Sequence, residues 1–168
     1  MINKKVIILN GRGGVGKDTF VDLCGEFCRA LHTSSVKPIK KLAEEIGWDG
    51  TKDEKSRKFL SDLKDLTTEF NDYPFNWLCN EYETFMSDMN LYEVLFIDIR
   101  EPKEVERAKQ AFNAITALIK NKNIPLIVSN HADREAENYN YDYVINNDNT
   151  LEELREVAKD FVEKVIKV

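Results

Sequence analysis

Residues Gly11 to Asp18 read Gly-Arg-Gly-Gly-Val-Gly-Lys-Asp, directly after the apolar run Val6-Ile7-Ile8-Leu9 and directly before a helix-like stretch. A strand, a glycine-rich loop, a lysine and a helix in that order are what a phosphate-binding P-loop requires. Gly11 and Gly16 bracket a turn whose backbone N–H groups must point inward at phosphate oxygens, and glycine accepts the backbone angles and the close approach. Arg12, Gly13, Gly14 and Val15 lie within that turn, and Lys17 adds a point charge for the β and γ phosphates. The helix that follows offers unsatisfied N–H groups and its positive dipole end to the same anion. The expected ligand is a nucleoside triphosphate.

One position departs from the Gly-x4-Gly-Lys-Ser/Thr pattern. Asp18 stands where a hydroxyl ordinarily reaches Mg2+, and Thr19 comes one residue later. Asp18 could touch the metal itself or hold one of its waters, while Thr19 is placed to donate to the α phosphate.

At 168 residues the chain fits one domain with a core that needs no metal or disulfide. A net charge of −6 argues against a nucleic-acid partner, because such a surface repels a phosphate backbone. The apolar run near the N-terminus ends at Asn10, too short for a signal peptide or a membrane span, so a cytoplasmic protein is expected. Cys24, Cys28 and Cys79 lack nearby His partners and read as reduced core residues. His32, at the end of the first helical pattern, and His131 read as surface or cap residues.

Val6 to Leu9 and Val94-Leu95-Phe96-Ile97 are consecutive apolar runs, as in strands covered on both faces of a parallel sheet. Phe20, Cys24, Phe27 and Leu31 recur at helical spacing after the loop. Ser34-Ser35-Val36 reads as a weak strand, and Pro38 opens a helix that stops near Gly47. Phe59, Leu60, Leu63, Leu66 and Phe70 predict one helix face, and Leu78, Tyr82, Phe85 and Met89 another, so residues 38–89 read as helical. Pro102 begins a helix with Val105, Ala108 and Phe112 on its buried stripe. Ala114 to Ile119 and Tyr143-Val144-Ile145 read as the remaining strands, and Thr150 with Glu153 as the capping box of a final helix. Strands alternating with helices give an α/β doubly wound sheet whose ligand site collects residues from the loops after its strands, at Gly11, Asp98, Ile119 and Asn146.

Asp98 ends the strongest internal apolar run, the place where a P-loop protein sets a carboxylate beside Mg2+. Asp18, Thr19 and Asp98 are therefore the candidate metal ligands. Arg100, two residues on, points the same way as Asp98 if the strand persists, and could reach a phosphate.

With these residues the chain resembles the nucleoside and deoxynucleoside monophosphate kinases of the adenylate-kinase-like P-loop group, which carry Gly-Lys-Asp-Thr, here Gly16 to Thr19. Phosphomevalonate kinases of the animal type also carry Gly-Lys-Asp. Ile97-Asp98-Ile99-Arg100-Glu101-Pro102 is similar to the Asp-x-Arg segment of the monophosphate kinases, and Tyr143 to Asn147 with Thr150 to Leu154 extends the likeness toward the end. The resemblance implies a three-layer P-loop kinase fold with a parallel five-stranded sheet flanked by helices. It also implies an acceptor-binding helical region over about residues 34–90 and a lid over about 120–141. The implied reaction moves the γ phosphoryl of ATP, with Mg2+, to a small phosphorylated acceptor, with Lys17, Asp98 and Arg100 acting on the transferred group and Asn147 near the donor nucleotide. Ser35, Lys37, Arg57, Arg100 and Arg134 are the implied acceptor residues, and Arg57 and Lys64 share a helix face two turns apart.

Arg29, Arg107 and Arg155 read as lying within helix bodies, which leaves Arg12, Arg57, Arg100 and Arg134 for phosphates. The stretch from Lys120 to Tyr141 leans on lysine where adenylate kinases proper carry arginines. Two other functions stay open: a small-metabolite kinase of phosphomevalonate type, and a nucleotide-binding switch that hydrolyses ATP slowly. No water-activating glutamate stands beside Asp98, which counts against the switch.

Overall fold

The computed structural model describes residues 3–89, 91–125 and 135–168. In chain order its elements are β1 (Lys5–Asn10), α1 (Lys17–Cys24), β2 (Ala30–Ser34), α2 (Lys37–Glu45), α3 (Glu54–Asn71), α4 (Tyr73–Ser87), β3 (Val94–Asp98), α5 (Pro102–Phe112), β4 (Ile115–Lys120), β5 (Tyr143–Asn146) and α6 (Leu151–Phe161), which continues as a π-helical turn over Val162–Ile166. The strands form one sheet in the order β2-β3-β1-β4-β5. β1 runs parallel to β3 on one side and to β4 on the other, and β4 runs parallel to β5. The fold is α/β, a five-stranded parallel sheet flanked by helices. Because strand order reverses at β1, its C-terminal end opens on the crevice where such sheets hold ligands.

The chain divides into two compact units, Met1–His32 with Asp88–Val168, and Thr33–Ser87. In the larger one, Ile7, Ile8 and Leu9 of β1 and Leu95 to Ile97 of β3 are fully buried. Alternation is absent because both sheet faces are covered. On one face Ile7, Leu9, Phe96, Ala117 and Ile119 share a core with Phe20 and Cys24 of α1 and with Leu154, Ala158 and Phe161 of α6. Helix α5 packs against β1 and β4 and buries Val105, Ala108 and Phe112. Each fully buried aliphatic or phenyl group contributes about 1.5–3 kcal/mol of transfer free energy, so these central strands anchor the loops at their ends. The capping box forms as the sequence predicts, with Thr150 Oγ1 accepting from Glu153 N–H at 3.2 Å.

The first helix is shorter than its apolar spacing predicts. It ends at Cys24, where Gly25 N–H donates to Val21 O at 2.9 Å, and the chain turns into β2 at Ala30. Leu31 and His32 therefore lie on a strand rather than on the first helix, and Arg29 precedes that strand instead of sitting in a helix body. The expected strand at Ser34 to Val36 is displaced for the same reason, since Val36 already caps α2. β2 escapes a pattern search because Ala-Leu-His-Thr-Ser has neither an apolar run nor a clean alternation, and only Thr33 in it is fully buried.

In the smaller unit Pro38 stands in the first turn of α2, and Asp53 caps α3 by accepting from Ser56 N–H at 2.7 Å. Helix α3 buries no residue completely. Phe59, Leu60 and Leu63 are half-buried, but Leu66 and Phe70 are 64% and 83% exposed, against the expectation of one buried face. Spacing reports where apolar side chains lie on a helix, not how many neighbours cover them, and within its unit α3 packs against α2 and α4. Met89 likewise falls beyond the end of α4 and is exposed.

All three cysteines are free. Cys24 and Cys28 are buried, and burial pushes the Cys24 thiol far above its ordinary value and the Cys28 thiol up to about 11. Neither supplies a thiolate at neutral pH, whereas Cys79 is half-buried. The native protein is expected to react quickly with Ellman's reagent at Cys79 alone, and at all three positions in denaturant. Loss of the fast phase in Cys79→Ser checks the assignment, and rapid reaction of three native thiols would contradict it. Among the described residues no helix is long and apolar enough to cross a membrane.

Candidate active site

The loop between β1 and α1 is set by two close approaches. Gly11 has φ +152, and a Cβ there would lie 2.6 Å from Ile119 O, so only glycine lets β1 and β4 stay adjacent at this point. Gly16 has φ +97 and caps α1, and a Cβ there would lie 2.6 Å from Asn147 Nδ2. No side chain caps the start of α1, which leaves the dipole end of the helix to be met by a ligand. Lys17 Nζ donates to Gly11 O at 2.8 Å and to Arg12 O at 3.2 Å, folding the ammonium over the loop. Asp18 and Thr19 follow in the first turn, both exposed.

The loops after β4 and β5 meet this turn. Asn147 N–H donates to Lys120 O at 2.7 Å, and Asn147 Nδ2 donates to Val15 O at 2.9 Å, so Asn147 braces the loop through its backbone. Asp148 Oδ1 accepts from Lys122 N–H at 2.8 Å, tying the two loops together. Arg12 Nε lies 3.4 Å from Glu137 Oε1, and Lys120 Nζ lies 2.8 Å from Glu137 Oε2. These cations are held by a carboxylate beside the loop.

Asn10, the last residue of β1, is fully buried. Its Oδ1 accepts from Gly11 N–H at 2.7 Å, and its Nδ2 donates to Arg100 O at 2.7 Å and to Tyr141 Oη at 2.8 Å. Tyr141 in turn donates to Ala136 O at 2.6 Å, and burial pushes its phenol up to about 12, so it serves as a neutral donor at physiological pH. One amide thus fixes the start of the loop, the segment after β3 and the approach to β5. Asn10→Ala removes three hydrogen bonds at once, strips the buried Gly11 N–H of its acceptor, and is expected to lower stability by about 3 kcal/mol. Chemical denaturation measures it. A loss below about 1 kcal/mol would mean water replaces the amide.

At the end of β3, Asp98 stands beside His32 of β2. His32 Nε2 lies 3.1 Å from Asp98 Oδ2, with the two side chains 28% and 18% exposed. The carboxylate raises the imidazole above its ordinary value, against burial, which lowers it. Donor atoms of Asp18, His32 and Asp98 all lie within 4.8 Å of one another. Asp98 Oδ1 is buried and accepts no hydrogen bond, which fits a carboxylate facing a cation. His32 is therefore not the surface or cap residue that a helical reading predicts. No local signal marks it: His32 lies within β2, and its approach to Asp98 follows from β2 and β3 being neighbours in the sheet.

Arg100 is exposed and lies past the end of β3, so the two-residue alternation that would align it with Asp98 stops short of it. Its carbonyl, rather than its guanidinium, is built into the Asn10 node. Arg134 and residues 126–134 around it, with His131, lie outside the described residues. The described flanks of the expected lid are tied to the body: Lys120 ends β4, and Tyr141 is buried. In the smaller unit, Ser35 is buried and Lys37 and Lys41 set their ammonium groups 5.5 and 5.7 Å from the centre of the Trp77 ring. Arg57 is exposed on α3.

No family model and no curated protein matches the chain. Among solved structures it is similar to a Chloroflexus aurantiacus protein provisionally described as a kinase, at 10% identity and a TM-score of 0.54, covering 97% of this chain and 98% of that one. It is also similar to shikimate kinase from Aquifex aeolicus, at 15% identity and a TM-score of 0.52, covering 94% and 96%. Sequence identity at this level shows the fold and nothing narrower, so the chain shares the P-loop fold of kinases of about its own length.

Proposed function

We propose that this chain is an ATP-dependent phosphotransferase that moves the γ phosphoryl group to a small phosphorylated acceptor, a nucleoside or deoxynucleoside monophosphate. The observation that carries the reading is the loop from Gly11 to Lys17, with the uncapped start of α1 behind it and the Asp18 and Asp98 carboxylates on the same sheet edge. Phosphoryl transfer asks little covalent chemistry of a protein; it asks for positioning and for neutralisation of charge on the transferred oxygens. Backbone N–H groups of Gly13 to Gly16 would hold the β phosphate, and Lys17 would leave the Gly11 and Arg12 carbonyls for the β and γ oxygens. Asp18, Thr19 and Asp98 are the residues that would hold Mg2+, which supplies charge neutralisation at the β and γ oxygens when bound. Asn147 would line the donor side.

Support for the acceptor class is the Gly16-Lys17-Asp18-Thr19 resemblance together with the cations of the smaller unit. Lys37 and Lys41 over Trp77 join positive charge to an aromatic plane, chemistry suited to a phosphate carried on a base and sugar. Ser35, Arg57, Arg100 and Arg134 are the further acceptor contacts proposed. Free thiols and an ATP requirement suit a cytoplasmic setting.

A coupled ADP-release assay across the common ribo- and deoxyribonucleoside monophosphates, phosphomevalonate and shikimate tests this. Turnover with one or a few monophosphates is expected, with Arg57→Ala raising the acceptor KM and leaving ATP affinity unchanged. Turnover confined to a non-nucleotide acceptor would move the chain to the small-metabolite kinases. Acceptor-independent hydrolysis alone would make it a nucleotide switch.

A further inference from the structure

Asp98 and Asp18 alone would form an all-oxygen site of the kind that suits Mg2+. His32 changes the donor set. It reaches the same point from a third element, β2, while Asp18 comes from the first turn of α1 and Asp98 from the end of β3. Its Nε2 is buried and lies 3.1 Å from Asp98 Oδ2 in an ion pair without hydrogen-bond alignment, while the buried Asp98 Oδ1 has no partner. A buried carboxylate oxygen without a partner, beside an imidazole nitrogen held only by a poorly aligned ion pair, is costly unless something between them satisfies both. Donors converging within 4.8 Å of one another from three elements are spaced for a single ion.

We propose that Asp18, His32 and Asp98 form a mixed nitrogen and oxygen site that binds a divalent transition ion directly, with His32 Nε2 as a ligand, and does so before any nucleotide arrives. An imidazole ligand shifts preference away from Mg2+ toward the first-row transition ions, which accept nitrogen readily. Mg2+ keeps its waters and is usually held through one or two carboxylates and the substrate phosphates. Three protein ligands would tie the ion to the protein instead, so that it stays when product leaves. The inference rests on the reading of Asp98 as a metal-facing residue, but not on any acceptor or on turnover.

The test uses the full-length protein without nucleotide and Mn2+ as the probe. Mn2+ titration followed by electron paramagnetic resonance gives the affinity, and electron spin-echo envelope modulation reports nitrogen-14 bonded to the ion. The wild type is expected to bind one Mn2+ with a clear nitrogen modulation. His32→Asn should lose that modulation and weaken Mn2+ binding by about tenfold or more, while weakening Mg2+ much less. Asp98→Asn should weaken both ions. Circular dichroism verifies folding, and His32→Gln serves if His32→Asn is unstable. Mn2+ bound without nitrogen modulation in the wild type, or no Mn2+ binding in the absence of nucleotide, would overturn the proposal. Nitrogen modulation in a protein that phosphorylates none of the acceptors would sustain it while the phosphotransferase reading fails.

Discussion

Lys17→Ala is expected to lower kcat by about 10³-fold while the protein stays folded. In the proposed reaction the side chain would supply a charge to the β and γ oxygens that grows in value as the γ phosphoryl separates, so its removal would act on the transition state more than on the ground state. Its role in the resting protein is small by comparison: Nζ bonds the Gly11 and Arg12 carbonyls, each worth about 1 kcal/mol or less in a partly exposed setting. The loop itself is fixed elsewhere, by Asn10 on Gly11, by Asn147 on Val15 and by the packing of Val15, which is 1% exposed. The check is a pair of measurements, initial rates at saturating ATP and acceptor, and a thermal melt within a few degrees of wild type. A normally folded Lys17→Ala enzyme with the wild-type rate would show that Lys17 is not at the transferred phosphate, and the loop would then have to be reassigned.

The contrast between β1 and β2 explains how much of the fold is legible. β1, β3 and β4 announce themselves as apolar runs because helices cover both faces of the sheet, and solvent imposes no alternation on them. β2 lies at the sheet's edge, and its half-buried Ala30, Leu31 and His32 carry no period strong enough to separate a strand from the tail of a helix. The stripe Phe20, Cys24, Phe27 and Leu31 keeps helical spacing across Gly25, although the regular helix ends at Cys24 and only turn bonds from Phe27 and Cys28 N–H to Cys24 O follow. Helix ends marked by local chemistry are read correctly, as at Thr150 and Glu153, where one hydroxyl satisfies one orphan N–H. Burial along α3 is not legible, because exposure of Leu66 and Phe70 depends on which helices lie alongside.

The site divides in the same way. Gly11 to Thr19 is continuous in sequence, with Gly11 and Gly16 demanded by positive backbone angles and by clashes with Ile119 and Asn147, so this part of the candidate site is legible as a motif. Asp98 is visible because it terminates an apolar run. His32 comes beside Asp98 only because β2 and β3 are neighbours in the sheet, a fact of topology with no local trace. For Arg100 the two-residue rule does not carry over from Asp98, because it holds only inside a strand and β3 ends at Asp98.

Asp98→Asn separates a role at the metal from a role in packing. The amide keeps the volume of the carboxylate and removes its charge, so the fold is expected to survive while the Mg2+ concentration for half-maximal rate rises about tenfold or more and kcat falls about 10²-fold. The sign expected for metal-free ATP is the discriminating one. A carboxylate beside a triphosphate repels it, so Asp98→Asn should bind ATP in EDTA as tightly as wild type or more tightly, while binding of Mg-ATP weakens. A purely structural aspartate, one that merely holds His32 at 3.1 Å, would give the opposite pattern: its loss would weaken ATP with and without the ion and leave the Mg2+ dependence where it was. Rates measured against free Mg2+, together with equilibrium binding of a fluorescent ATP analogue in EDTA, distinguish the two. An unchanged Mg2+ dependence would remove Asp98 from the metal and, with it, the reason for its buried and unpartnered Oδ1.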